Sequence, residues 1–220
     1  MGQTSQAVIL SAYCDRTAHS MENPFDTINE PLEQRLITGL FKLGVALRSQ
    51  AWQGAEAQGL TPTQGQILTT LRSHSQGIRL SGVAQELAVS PATASDAVAA
   101  LVKKKLVVRE QAADDRRAIA IRLTPEGEQQ AIQAAQWPDF LLAAVEDLSA
   151  EEQAVIFKGL TKMIQKLQTH KKIPVARMCL TCQYFSPNVY DDPHRPHHCQ
   201  LVDAPFGDLD LRLDCPEHKN

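Results

Sequence analysis

Aromatic residues make up only 5% of this 220-residue chain. Its core must therefore be aliphatic and alanine-rich, which suits packed helices. Long apolar runs are lacking too. No stretch approaches the roughly 18 to 20 residues that a membrane span needs. No basic segment followed by an apolar one opens the chain, as a secretory signal would. The expected setting is cytoplasmic, with no membrane partner. Also missing are a glycine-rich phosphate loop, a Ser/His/Asp constellation and any cofactor fingerprint, so no enzyme is expected. Cysteine is scarce until late: Cys14 stands alone, with no role to assign, before Cys179.

What is present is helical periodicity. Residues 1–30 keep no period and are punctuated by Pro24, so they read as an N-terminal arm. From Leu32, apolar residues recur at Leu36, Leu40, Leu43 and Leu47, the spacing of one helix face. Thr61-Pro62, Ser90-Pro91 and Thr124-Pro125 each set an N-cap before a proline at the first helical position. Ser149 and Glu152 have capping-box spacing. Ser81 is expected to cap a short helix carrying Val83, Ala84 and Leu87. A turn at Ala88 and Val89 leads into a helix over 92–104. Pro138 should break the helix begun at Thr124, and Pro174 should end the last one. Between these helices the period changes. Val107 with Val108, then Ile119 with Ile121, read as two strands, and 112–117 is the polar tip between them.

Two short helices, a tight turn and a basic hairpin describe a winged helix-turn-helix in a mainly α fold with a small β-wing. The charge distribution agrees. The net charge is −3, yet residues 103–122 hold seven basic residues against three acidic ones, a local +4. In this architecture the second helix enters the major groove with its N-terminal residues near base edges. The hairpin reaches phosphates or the minor groove. The candidate contacts to double-stranded DNA are Ser90, Pro91, Thr93, Ala94 and Ser95 at the start of that helix, and Lys103 and Lys104 at its end. Arg116 and Arg117 complete them at the wing tip. Ser90 and Pro91 also serve as helix-start chemistry, and the lysines also suit the negative end of the helix dipole.

The stretches "LTPTQGQILTTL", "LSGVAQELAVSPATASDAVAALVKKKLVVRE" and "DDRRAIAIRLTPEG" together resemble the MarR family of bacterial transcriptional regulators. The resemblance runs from about Leu32 to His170. Its most specific part is Asp115-x-Arg117 followed by Leu123-Thr124-x-x-Gly127. It implies a homodimer interleaved through N- and C-terminal helices, a pseudo-palindromic operator, and a small-molecule ligand in the dimer crevice. It also implies that Arg117 enters the minor groove, with Asp115 orienting it. Two residues depart from the pattern: Asp96 sits where the family often has a basic residue, and Lys105 where it commonly has glycine.

The remaining cysteines crowd into the last 42 residues as Cys179-x2-Cys182-x16-Cys199-x15-Cys215. In a reducing compartment such clustering points to metal or redox chemistry before disulfides. Two residues between the first pair let both sulfurs face one centre. The tail carries too few apolar residues to fold unaided. A zinc site usually draws on two tight knuckles, and here the second half is split, leaving His197 or His198 as alternate ligands. A four-iron cluster takes one cysteine per iron and tolerates wide spacing. The pattern "CLTCQYF", "CQLVDAPF", "DCPEH" is similar to that of high-potential iron–sulfur proteins.

The expected organisation is thus an arm (1–30), a winged-helix and dimerisation domain (31–172) and a cysteine-rich metal module (173–220). The expected function is a DNA-binding regulator, a repressor by resemblance, with an iron–sulfur cluster that senses redox state or iron. The alternative is a regulator responding to a small ligand, with structural zinc in its tail.

Overall fold

The computed structural model describes residues 30–219, except 75, 113, 114 and 116. Cys14 and Arg116 therefore lie outside the described residues. The chain divides into two compact units, residues 1–46 and 47–220. The described part of the first is the start of helix α1 (Leu32–Ala57). Leu36, Ile37, Leu40, Phe41 and Leu43 are all exposed on it.

The second unit holds the rest. Helix α2 (Pro62–Arg72) starts at the Thr61 cap, whose hydroxyl accepts from the Gln64 N–H while the Gln64 side chain accepts from the Thr61 N–H. Helix α3 (Leu80–Glu86) and helix α4 (Pro91–Lys103) follow. The turn between them places Ala88 at φ 52°, the left-handed region. Ser81 does not cap α3. The helix begins two residues earlier than a Ser81 cap would place it, with Arg79 at its N-cap and no side-chain cap bond. The reason is a short strand absent from the sequence reading: β1 (Ile78–Arg79) pairs with β3 and carries the chain straight into the helix.

The wing is the antiparallel pair β2 (Val107–Gln111) and β3 (Ile119–Leu123), running in register from Val107↔Leu123 to Gln111↔Ile119. With β1 they form a sheet of order β1-β3-β2. Helix α5 (Pro125–Ala135) ends before Pro138, as expected, and gives way to a 3-10 turn (Trp137–Leu141) and helix α6 (Leu142–Glu146). Trp137 fits here because Gly54 and Gly65 lack a Cβ. One added at either position would overlap its indole ring. Helix α7 (Ala150–Thr169) has the Ser149–Glu152 capping box. It stops five residues before Pro174, with Lys171 in the left-handed region at φ 55°.

The core of this unit is aliphatic: Ile67, Leu68, Val83, Val98 and Leu101 are fully buried and cluster with Leu71, Val107 and Ile121. The tail folds as a second antiparallel sheet, β4 (Phe185–Ser186), β5 (His197–Cys199) and β6 (Ala204–Phe206), in the order β4-β5-β6. No helix among the described residues is long and apolar enough to cross a membrane.

Candidate nucleic-acid interface and cysteine centre

Helix α4 presents its first turn outward. Ser90, Pro91 and Thr93 are exposed and Ser95 is half-buried. The Ser90 hydroxyl accepts from the Thr93 N–H (3.0 Å) and lies 2.8 Å from the Thr93 hydroxyl. One of the backbone donors left free at a helix start is thereby satisfied. Ala94 departs from the expectation. Its side chain is completely buried in the core, because it shares the inward face of α4 with Val98 and Leu101. It cannot touch a base.

The two lysines at the other end separate. Lys103 is exposed. Lys104 points its ammonium back, donating to the Gly59 carbonyl and to the Gln64 side-chain oxygen (2.8 Å). It clamps the end of α4 to the loop before α2 rather than waiting for a phosphate. Lys105 adopts φ 60°, the left-handed geometry that favours glycine. This accounts for the glycine that the resemblance expects there.

The wing motif divides into an exposed half and an architectural half. Asp115 accepts from the Arg117 N–H (2.9 Å), and its other oxygen lies 3.9 Å from the Arg79 guanidinium. Asp115 thus shapes the backbone that carries Arg117, whose side chain is exposed. The second half closes a seam. Thr124 donates its hydroxyl hydrogen to the Lys105 carbonyl (2.8 Å) and accepts from the Gly127 N–H (3.0 Å). Gly127 lies so close to the Leu106 carbonyl that a Cβ would overlap it. Arg122 pairs with Glu110 across the strands at 3.6 Å.

In the tail, a 3-10 turn (Cys179–Thr181) brings the first cysteine pair together, with the Cys182 N–H donating to the Cys179 carbonyl (3.0 Å). Cys199 comes from β5, opposite Phe185. Cys215 is held by its N–H, which donates to the Arg177 carbonyl (2.7 Å). All four thiols are free, half-buried, and line one small cavity together with Tyr184, Phe185, Leu201, Phe206 and Glu217. A span of 37 residues thus converges on a single point. Among the described residues, no three Cys, His, Asp or Glu side chains close into a shell for a single metal ion. Burial pushes the Cys179 thiol up. A hydrogen bond from the Arg212 N–H to its sulfur (3.3 Å) acts in the opposite direction, and the neighbouring Cys215, Cys182 and Cys199 push it further up.

The candidate alternate ligands face elsewhere. His197 is buried edge-on against Phe185 and Phe206. Its Nδ1 accepts from the Asn188 N–H (3.2 Å), so its Nε2 carries the hydrogen shared with Asp208 (2.9 Å). That bond holds the Asp208 carboxyl below its ordinary range; slight burial opposes it, and Lys158 of α7, 3.6 Å away, adds to the lowering. His198 lies between the Tyr190 hydroxyl (2.9 Å) and Asp203 (3.4 Å). Both rings have both nitrogens engaged with protein groups, and neither lines the cavity.

Sequence reasoning missed Arg177. Its guanidinium binds the Asp214 carboxylate (3.0 and 2.7 Å) and donates to the Ser73 carbonyl at the end of α2 (2.9 Å). A signal was available: an arginine just before the first cysteine pair and an aspartate just before the last cysteine are complementary charges. The Lys104 clamp had no sequence signal.

Residues 58–118 match the sequence model described as the MarR family. The chain is similar to the HTH-type transcriptional repressor MdtR of Bacillus subtilis (strain 168). The two are 26% identical over 127 residues, which is 57% of this chain and 81% of that protein. It is 30% identical to a point mutant of S. aureus MepR bound to an oligodeoxyribonucleotide, over 60% of this chain and 98% of that one, with a TM-score of 0.42. The S. aureus MepR–DNA complex aligns at 29% identity and a TM-score of 0.52, over 59% of this chain and 97% of that one.

Proposed function

Because this chain belongs to the MarR family of winged-helix transcriptional regulators, we propose that it is a dimeric repressor that binds a pseudo-palindromic operator and carries a four-thiolate iron–sulfur centre in its tail. The observation that carries the reading of the tail is the convergence of Cys179, Cys182, Cys199 and Cys215 on one cavity.

On DNA, the exposed start of α4 enters the major groove, with Thr93 and Ser95 near base edges. Arg117 reaches the adjacent minor groove from the wing, and Lys103 meets a phosphate. The exposed apolar face of α1 (Leu36, Leu40, Phe41) is the kind of surface a second protomer covers, and so is that of α7 (Val155, Ile156, Met163, Leu167). Steep loss of operator affinity with rising salt is the expected result in a fluorescence-anisotropy titration.

For the centre, the donor set is four thiols in an apolar, half-buried setting, which suits soft metals. A single zinc needs its sulfurs about 3.8 Å apart, from Zn–S distances of about 2.3 Å in a tetrahedron. A four-iron cluster takes one thiolate per iron and tolerates the wide separation of Cys199 and Cys215 along the chain. Such a cluster would supply a site that gains or loses an electron, or is lost altogether with iron or oxygen. A second reading, structural zinc, is favoured by the size of the space between the thiols, about 30 Å³. The regulator would then take its signal from a small molecule. A crevice of about 700 Å³ lined by Leu47, Ala51, Pro62, Gly65 and Trp137 offers the volume for one.

Iron, acid-labile sulfide and zinc analysis of protein purified without oxygen separates the two readings. Iron with sulfide supports the cluster, and about one zinc per chain supports the staple.

A further inference from the structure

We infer that Arg177 is the link through which the state of the cysteine centre sets the pose of the helix-turn-helix. This inference rests on the reading of the four thiols as a metal centre. The connection can be followed bond by bond from the cavity outward. Cys215 is fixed by its N–H to the Arg177 carbonyl (2.7 Å). Asp214, directly before it, holds the Arg177 guanidinium through one carboxylate oxygen at 3.0 and 2.7 Å. Cys179 is fixed by its N–H to the Arg212 carbonyl (3.0 Å), so two of the four thiols hang on the same short segment.

The far side of Arg177 reaches the DNA-binding elements. Its Nη1 donates to the Ser73 carbonyl (2.9 Å), the C-cap of α2. The next residue, His74, pairs with Glu86 of α3 at 3.0 Å and donates to the Thr70 carbonyl of α2 (2.9 Å). Helix α3 packs directly on the recognition helix α4, with Val83 and Ala84 in the same core as Ala94 and Val98. The chain of contacts therefore runs Cys215, Asp214, Arg177, Ser73, His74, Glu86, α3 and α4. The Arg177 side chain is 16% exposed and that of Asp214 65%, so the pair is shielded on its arginine side only.

The junction has room to change. Arg177 and Asp214 line a crevice of about 400 Å³ together with Thr70, Ser73 and Glu86. A second cavity of about 300 Å³ lies between Arg177, Val175 and His218 on the tail and Gly82, Gln85 and Glu86 of α3. With four thiolates bound to a cluster, residues 212–215 are pinned, and Arg177 holds the end of α2 in one position. Without the cluster, Cys215 and Asp214 are released together and Arg177 loses its anchor. The tail then no longer determines where α3 sits, and a two-state element is biased by occupancy. Arg177 touches neither DNA nor metal in this account. It is a positioning residue.

The test uses the full chain and an operator duplex selected from a random-sequence pool. Operator Kd is measured for cluster-loaded and cluster-free protein, with iron, sulfide and visible spectrum recorded for each. The expected ratio of the two Kd values is at least about tenfold for the natural sequence, within the usual range of coupling between sites. In Arg177→Gln the cluster loads with the same spectrum and the ratio falls below about twofold; Asp214→Asn, which keeps the Ser73 bond, gives an intermediate ratio. A fully loaded Arg177→Gln that keeps the natural ratio overturns the inference and leaves the cluster reading intact. A natural protein that loads a cluster without any change in Kd does the same. A natural protein that binds no iron removes the cluster reading itself. Hydrogen exchange on the natural protein needs no variant. Amides 70–74 and 80–86 are expected to be better protected when the cluster is loaded, and equal protection in both states overturns the link.

Discussion

The winged-helix region and the cysteine tail are held together by different means. In the winged helix, Ile67, Leu68, Val83, Val98, Leu101 and Ile121 form a continuous aliphatic core in which polar groups have little part. In the tail, Met178 is the one apolar side chain buried as deeply among the described residues, and the rest is strands of two or three residues, hydrogen bonds and ion pairs. Three short strands and one deeply buried apolar side chain do not supply a core able to offset the conformational entropy of roughly forty residues. The first region folds because it excludes water. In the second, four free thiols line one small cavity, and the proposed metal centre would supply there the restraint that a core supplies in the first.

The largest effect expected is on the tail. Cys199→Ser should abolish metal retention and collapse exchange protection across β4, β5 and β6, while the winged helix keeps its melting transition. Loss of both together would show that the two regions are one cooperative unit. Next in size, Leu101→Ala should destabilise the winged helix by about 2–5 kcal/mol, because it leaves a cavity in a side-chain cluster with no solvent access. Urea melts followed by circular dichroism measure this, and metal content should stay unchanged.

Arg117→Ala should weaken operator binding by about 1–3 kcal/mol without changing stability. The two lysines at the end of α4 then make an internal control. Lys103→Ala should reduce the salt slope of binding by about one. Lys104→Ala should leave that slope alone and lower the melting temperature, since its ammonium already serves Gly59 and Gln64. The smallest effect concerns His74. The hydrogen bond to Glu86 raises its pKa above the ordinary 6.5, against partial burial, with the Thr70 carbonyl adding to the rise. A raised folded-state pKa stabilises the fold fully below about 6.5, and that contribution is lost as pH rises through the folded value. Urea midpoints at about pH 5.5 and about pH 8.5, on either side of that window, should therefore diverge more in the natural protein than in His74→Asn.

The helices of the winged region were legible because their ends are written locally. Thr61, Ser90, Thr124 and Ser149 each cap the helix that follows, and Pro138 breaks α5 as its ring requires. The wing was legible from its change of period. What stayed hidden depends on contacts far along the chain. Ile78 and Arg79 become a strand only because β3 lies beside them, and this leaves Ser81 inside α3 instead of at its cap. Ala94 looks like a small residue suited to close approach, yet which face an alanine takes is decided by the packing of α4. Lys104 reads as a free charge and is a clamp. In the tail the four cysteines were legible as a set. The roles of the histidines were not, because His197 and His198 find Asn188, Asp208, Tyr190 and Asp203 only after the sheet forms. The motif Thr124-x-x-Gly127 was read with the DNA-binding pattern, and its structural place is the seam beneath the wing.

The most direct test of the account is the metal and sulfide content of the full chain purified without oxygen. The expected result is a brown protein with about four iron and four sulfide per chain, released together with exposure of four titratable thiols in the tail. A colourless protein with no iron, its four tail thiols freely titratable and its tail amides protected all the same, would contradict it.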